Sequence, residues 1–142
     1  MPSYSKRSIK KLETCHPYIQ LIFNQIILEF DNTIVCGHRG KVAQMTAFLR
    51  KKSKLNWPNS KHNNLIKYNT PYSLAIDAAP YDEKMKAIDW NDLSRIYYFA
   101  GRVMQKASDL GIKLRWGGDW DQDTETKDNT FNDLVHFELD LT

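Results

Sequence analysis

The chain has only two cysteines in 142 residues, Cys15 and Cys36, and they lack the Cys-x-x-Cys spacing of a zinc knuckle or a redox pair. Two such thiols make no disulfide framework, so both are expected to be reduced and structural. No run approaches the ~20 consecutive apolar residues that a membrane span requires, so stable membrane insertion is not expected. An export signal needs a basic start followed by an unbroken apolar stretch, but Lys10, Lys11, Glu13 and His16 interrupt everything before Ile19. The formal net charge is only +3, without the concentrated basic face of a nucleic-acid binder. No nucleic-acid partner is expected, whereas attraction to an anionic polymer is allowed. Repeats and low-complexity tracts are absent, and the 5 prolines and 6 glycines are too scattered to mark a linker.

What is present suits one compact domain covering residues 1–142, with 42% hydrophobic and 26% charged residues. Pro17 opens a helix that runs through Ile19, Ile22, Phe23, Ile26, Ile27 and Phe30. Thr33 to Cys36 reads as a short strand stopped by Gly37, and a second helix is expected from Val42 to Lys51 with Val42, Met45 and Leu49 inward. Leu74 to Ala79 reads as a strand with Leu74, Ile76 and Ala78 on one face and Asp77 on the other, open face. The clearest helix spans about Trp90 to Leu110, with Leu93, Ile96, Tyr97, Ala100, Met104, Ala107 and Leu110 as its stripe and Gly111 as its stop. Ile112 to Trp116 is another strand. After an acidic loop, Val135 to Leu141 alternates Phe137, Leu139 and Leu141 against His136, Glu138 and Asp140. The fold class this implies is α+β, a single domain with a small, mostly antiparallel sheet packed against helices.

A hydrolytic zinc ion needs three nitrogen or oxygen ligands, an open fourth position, and a carboxylate close enough to take a proton from water. His62, Asp77, His136 and Asp133 can supply such a set, with Asp133 just ahead of the last strand. Spacing alone leaves the bland readings open: His62 as polar loop surface, and the two aspartates as turn caps. A cysteine peptidase built from Cys15 or Cys36 with His16 or His38 is disfavoured, because side chains so near in sequence diverge on a helix or strand.

Six fragments occur in a characteristic order: Gly37-His38-Arg39, Ser60-Lys61-His62, Ala75-Ile76-Asp77, Ile88-Asp89-Trp90, Gly111 to Trp120, and His136-Phe137-Glu138. Together they resemble the zinc peptidases that include phage L-alanyl-D-glutamate endopeptidases and the D-Ala-D-Ala carboxypeptidases and dipeptidases. The Trp-Gly-Gly-Asp-Trp run, Trp116 to Trp120, points to the endolysin branch.

The resemblance implies that His62, Asp77 and His136 bind Zn2+, that Asp133 is the general base where several relatives have Glu, and that Arg39 holds the scissile carbonyl or a substrate carboxylate. Failing Asp133, the search for the base passes to Glu138. Ser60 is expected to position the His62 loop, and Trp116 and Trp120 to pack and wall the cleft. The implied partner is the peptidoglycan stem peptide, cut by a monomer made in the host cytoplasm without a signal peptide and acting on the wall after release. The implied alternatives are D-Ala-D-Ala cleavage and a non-catalytic wall-binding relative. Two departures stand out: Ser73 replaces a family glycine, and an insertion of about eight residues lies within residues 63–72, where a longer loop costs little. Asp119, Asp121, Asp123, Glu125 and Asp128 are expected to form a solvated acidic loop rather than a calcium site.

Overall fold

The computed structural model describes residues 2–63 and 67–141. Its elements are helices α1 (Lys6–Glu13), α2 (Pro17–Ile26), α3 (Lys41–Leu49) and α4 (Leu93–Asp109), and strands β1 (Asn32–Cys36), β2 (Ala75–Pro80), β3 (Leu114–Gly117) and β4 (Asp133–Leu139). The strands form one antiparallel sheet in the order β1-β2-β4-β3, so β2 and β4 are interior. Helices α2 and α4 pack on one face, α1 lies against β1, and the α+β expectation holds. No helix among the described residues is long and apolar enough to cross a membrane.

Period-two alternation divides β4 between two environments. Phe137 and Leu139 enter the core beneath α2 and α4, while His136 and Glu138 face away from it. Phe137 meets Phe23 and Phe99 edge-on, with ring centroids 5.8 and 6.3 Å apart. Such T-shaped contacts add to the burial of large apolar rings, whose truncation to alanine costs about 3–5 kcal/mol. In α4 the inward stripe is Ile96, Phe99, Ala100, Val103 and Ala107. Leu93 and Leu110, expected inward, are 53% and 37% exposed because they lie at the helix ends, beyond the sheet. Cys15 is fully buried in the core, and neither cysteine is paired.

Three expectations need correction. In α3 the inward residue is Gln44, whereas Val42 and Leu49 are 80% and 78% exposed. The cause is a polar anchor: Gln44 accepts from Arg39 and Asn63 and donates to Ser53 Oγ and the Leu55 carbonyl. An amide with every hydrogen-bonding group occupied fixes the helix rotation that an apolar stripe would otherwise set. The face of β2 bearing Asp77 is not open; every residue from Ala75 to Pro80 is buried, as befits an interior strand. Finally, Asp133 belongs to β4 itself, and Leu141, expected on the core face, is exposed.

Helix α1 was not apparent in the sequence, since Lys6 to Glu13 buries only Ser8 and Leu12. It is started by Ser5, whose side chain accepts from the Ser8 N–H. Ser8 Oγ in turn accepts from the backbone N–H of Ile34, tying α1 to the sheet edge. Residues 64–66 of the expected insertion lie outside the described residues; Tyr68, beyond them, lines the cleft described below. Ser73, at the expected glycine, is fully buried and donates its hydroxyl to the Ala75 carbonyl at 2.6 Å.

The glycines of the Trp-Gly-Gly run are demanded by space. A methyl group on Gly117 would strike the Asp133 carbonyl, and one on Gly118 would strike the Trp116 ring. Gly117 pairs with Asp133 across β3 and β4, so Gly117→Ala is expected to lower stability by about 1–3 kcal/mol. It should also displace Asp133. Thermal unfolding, with turnover measured well below the unfolding temperature, checks both effects.

Candidate functional site

The register of β2 against β4 puts Asp77 directly opposite His136, the closest approach two side chains of neighbouring strands can have. Asp77 Oδ1 lies 3.1 Å from His136 Nδ1. His62 arrives from a tight turn: its N–H donates to Ser60 Oγ at 3.2 Å, the positioning role expected of Ser60, and Asn63 N–H donates to the Ser60 carbonyl at 2.9 Å. The His62 carbonyl accepts from the Arg39 N–H, which joins this turn to the segment after β1. His62 Nε2 then lies 3.2 Å from His136 Nδ1 and 3.3 Å from Asp77 Oδ1.

Hydrogen bonds behind the rings fix which nitrogen carries the proton. His62 Nδ1 is 2.7 Å from the Gly37 carbonyl, which can only accept, so the neutral ring carries its proton there and Nε2 presents a lone pair. His136 Nε2 is 2.9 Å from Glu138 Oε1, so Nδ1 presents the lone pair by the same reasoning. With both rings neutral, three unprotonated donors converge with separations of 3.1 to 3.3 Å. A tetrahedral ion with ligand bonds of roughly 2.0–2.2 Å separates its donors by about 3.3–3.5 Å. The residues fit a metal ion, and they leave a side open to the cleft.

The electrostatics agree. Burial favours neutral His62, but the charge of Asp77 and a hydrogen bond to it prevail and push the metal-free imidazole up to about 10. His136 is raised in the same way, against burial, by hydrogen bonds to Asp77 and Glu138. Burial opposes ionisation of Asp77, yet the two histidines hold its carboxyl far below the usual range.

The centre lies at the bottom of a cleft of about 410 Å³. Asp133 Oδ2 is 4.0 Å from His136 Nδ1, with its side chain 32% exposed. Burial, then the charge of Asp77, raises its pKa above that of an ordinary aspartate. Arg39 Nη2 approaches Asp77 Oδ2 at 3.5 Å, and its Nη1 donates to Gln44 at 2.9 Å. All five expected site residues, His62, Asp77, His136, Asp133 and Arg39, line this one cleft.

Glu138 is not the reserve base. Its Oε1 accepts from His136, and its Oε2 meets Lys61 Nζ at 2.8 Å and Arg115 Nη2 at 2.7 Å. Burial opposes its ionisation, but these partners depress its pKa well below the carboxylate range, the reverse of what a base requires. The signal for this role was available, since residues two apart on a strand share a face. Lys61 and Arg115 carried no such signal, because their partner is remote in sequence. Of the two tryptophans, Trp116 is buried against Tyr97, and Trp120 walls the cleft, its ring centroid 5.5 Å from that of His136.

Away from the cleft centre, carboxylate oxygens of Asp119, Asp121 and Asp123 lie within 4.8 Å of one another. Asp121 and Asp123 are exposed, and Asp119 accepts from the backbone N–H groups of residues 123 and 124. That is the geometry of an acidic turn closed on its own backbone.

Comparison with known proteins places the chain. The family model described as phage L-alanyl-D-glutamate peptidase matches residues 2–140. An L-alanyl-D-glutamate peptidase of Escherichia phage T5 is 35% identical over 148 residues, covering 96% of this chain and 96% of that protein. Among solved structures, the Serratia marcescens L-Ala D-Glu endopeptidase ChiX shares the fold with a TM-score of 0.70 at 19% identity, covering 96% of this chain and 89% of that one. With its fold matched, its donors gathered at a cleft, and almost its whole length accounted for, the chain belongs to the phage L-alanyl-D-glutamate peptidase family.

Proposed function

We propose that this chain is a phage endolysin that hydrolyses the amide between L-alanine and D-glutamate in peptidoglycan stem peptides, as a single-domain monomer with zinc at His62, Asp77 and His136. The observation that carries the reading is the convergence of two imidazole nitrogens and one carboxylate oxygen, within 3.3 Å of each other, at the bottom of a cleft. Two imidazoles, a carboxylate and an open position suit catalytic zinc better than calcium or magnesium, which prefer all-oxygen shells. The T5 and Serratia proteins are both named for the same bond. Synthesis in the host cytoplasm and release to the wall complete the reading.

When bound, zinc supplies the Lewis acidity that makes water nucleophilic near neutral pH and polarises an amide carbonyl. Asp133 accepts the proton of the attacking water and delivers it to the departing amine of D-glutamate. Arg39, steadied by Gln44, directs N–H groups at the carbonyl oxygen as negative charge builds there. Glu138 holds His136 in the tautomer that keeps Nδ1 free.

Incubation of purified wall with the protein should expose new D-glutamate amino termini and clear the suspension, and chelation should stop both; release of D-alanine instead would overturn the assignment of the bond. His62→Ala, Asp77→Ala and His136→Ala should each lose bound zinc, which metal analysis of the purified variants checks. Asp133→Asn should keep zinc and fold while turnover falls roughly 10²–10⁴-fold. Full activity in that variant would reduce Asp133 to a turn cap, for which asparagine serves as well.

Zinc must displace the proton that metal-free His62 retains up to about 10. Zinc affinity should therefore climb as pH rises from neutrality towards that value, with protons released on binding. Titration calorimetry in buffers of different ionisation enthalpy reads the release. The sign for the metal-free fold is opposite: its stabilisation by that proton is complete below the ordinary imidazole value of 6.5 and is lost as pH rises through about 10.

A further inference from the structure

The cleft holds more positive charge than orienting His136 requires. Arg39, Lys52, Lys54, Lys61 and Arg115 line it, against the carboxylates of Asp77, Asp133 and Glu138. Two of these cations, Lys61 and Arg115, meet the same oxygen of Glu138 at 2.8 and 2.7 Å. One carboxylate neutralises one cation, so the group keeps a net positive charge, with the Lys61 side chain 17% and the Arg115 side chain 35% exposed. A surplus cation that remains accessible from the cleft attracts an anion.

The free hydrogen-bonding capacity lies on Arg115. Lys61 is further occupied by the Leu139 carbonyl at 2.6 Å. Arg115 Nε is buried without an acceptor among the described residues and lies out of a ligand's reach. What Arg115 offers to the cleft is the rest of a side chain that is 35% exposed and gives Glu138 an Nη2 bond at 2.7 Å. Its guanidinium is nevertheless fixed, by Glu138 on one side and by Trp120, whose ring centroid is 5.6 Å from Cζ, on the other. The other cations suit the role less well: Arg39 is engaged with Asp77 and Gln44, and Lys52 and Lys54 are exposed at the rim. Flexible exposed ammonium groups attract an anion without holding it in one geometry.

The substrate of the proposed reaction brings a suitable anion. Glutamate has two carboxyl groups; with its amine acylated by L-alanine and one carboxyl continuing the peptide, the second remains a carboxylate unless it is amidated. It lies a few bonds from the scissile nitrogen. Resting on the function proposed above, we propose that Arg115 receives this free glutamyl carboxylate and makes the enzyme selective for stems in which it is ionised over stems in which it is a carboxamide. A fixed fork of N–H donors pairs with a carboxylate through charge-assisted hydrogen bonds, whereas a carboxamide brings no charge and turns its own donors towards the cation.

The test uses two synthetic stem peptides differing only in that group, cut by the zinc-loaded wild type, Arg115→Gln and Arg115→Lys, with zinc content and unfolding temperature recorded for each. The wild type should favour the carboxylate peptide roughly 10- to 100-fold in kcat/KM, the usual worth of a charged hydrogen bond. Most of the difference should lie in KM. Arg115→Gln should bring the ratio to within a few-fold by raising KM for the carboxylate peptide, and Arg115→Lys should keep part of the preference. Equal cleavage of both peptides by the wild type overturns the inference without any variant and leaves the peptidase reading intact. So does an equal loss on both peptides in Arg115→Gln, which would confine Arg115 to holding Glu138. If the wild type cuts neither peptide and frees only D-alanine from wall, the proposed bond is wrong and this inference falls with it.

Discussion

Lone pairs aimed at a common point repel one another, and this site holds three of them within 3.3 Å of each other. Only a cation relieves the repulsion, and the surrounding structure prevents the easier escape of turning a ring. The Gly37 carbonyl holds His62 and Glu138 holds His136, each by the nitrogen that faces away from the centre. Glu138 is in turn held by Lys61 and Arg115. Freedom is removed in successive layers, so that little reorganisation is needed when charge is redistributed during reaction.

The layers rest on the sheet. Pairing of β2 with β4 sets Asp77 against His136, and pairing of β3 with β4 sets Arg115 against Glu138. The aromatic contacts of Phe137 with Phe23 and Phe99 lock β4 from below. His62 comes to the same point by other means, a turn closed by Ser60 and Asn63 and tied to the Arg39 segment.

Much of this was legible in the chain. The alternation around His136 and Phe137 separates chemistry from core, and the order of short motifs gathers four of the five site residues that the cleft brings together, Asp133 lying just ahead of the last motif. What was hidden has a common cause. The rotation of α3 depends on Gln44, whose partners Asn63 and Leu55 lie beyond its helix, so reading Val42 and Leu49 as inward followed an apolar pattern that tertiary hydrogen bonds override. The same holds for Lys61 and Arg115, whose shared partner Glu138 is distant in sequence. Helix α1 escaped notice because it contributes one apolar side chain, Leu12, and one hydroxyl, Ser8, and neither makes a periodic stripe.

The placement of His136 between core-facing neighbours has a further effect on how this enzyme can vary. A slip of one residue in β4 would turn Phe137 into the cleft and His136 into the packed aromatic cluster, so that fold and chemistry would fail together. The turn carrying His62 stands outside the sheet: Ser60 and Asn63 close it and Asn63 ties it to the Arg39 segment, so chain added beyond it leaves His62 in place. Chain added between His62 and Asp77 therefore reshapes the cleft mouth, where Tyr68 already stands, without shifting the strand that carries His136.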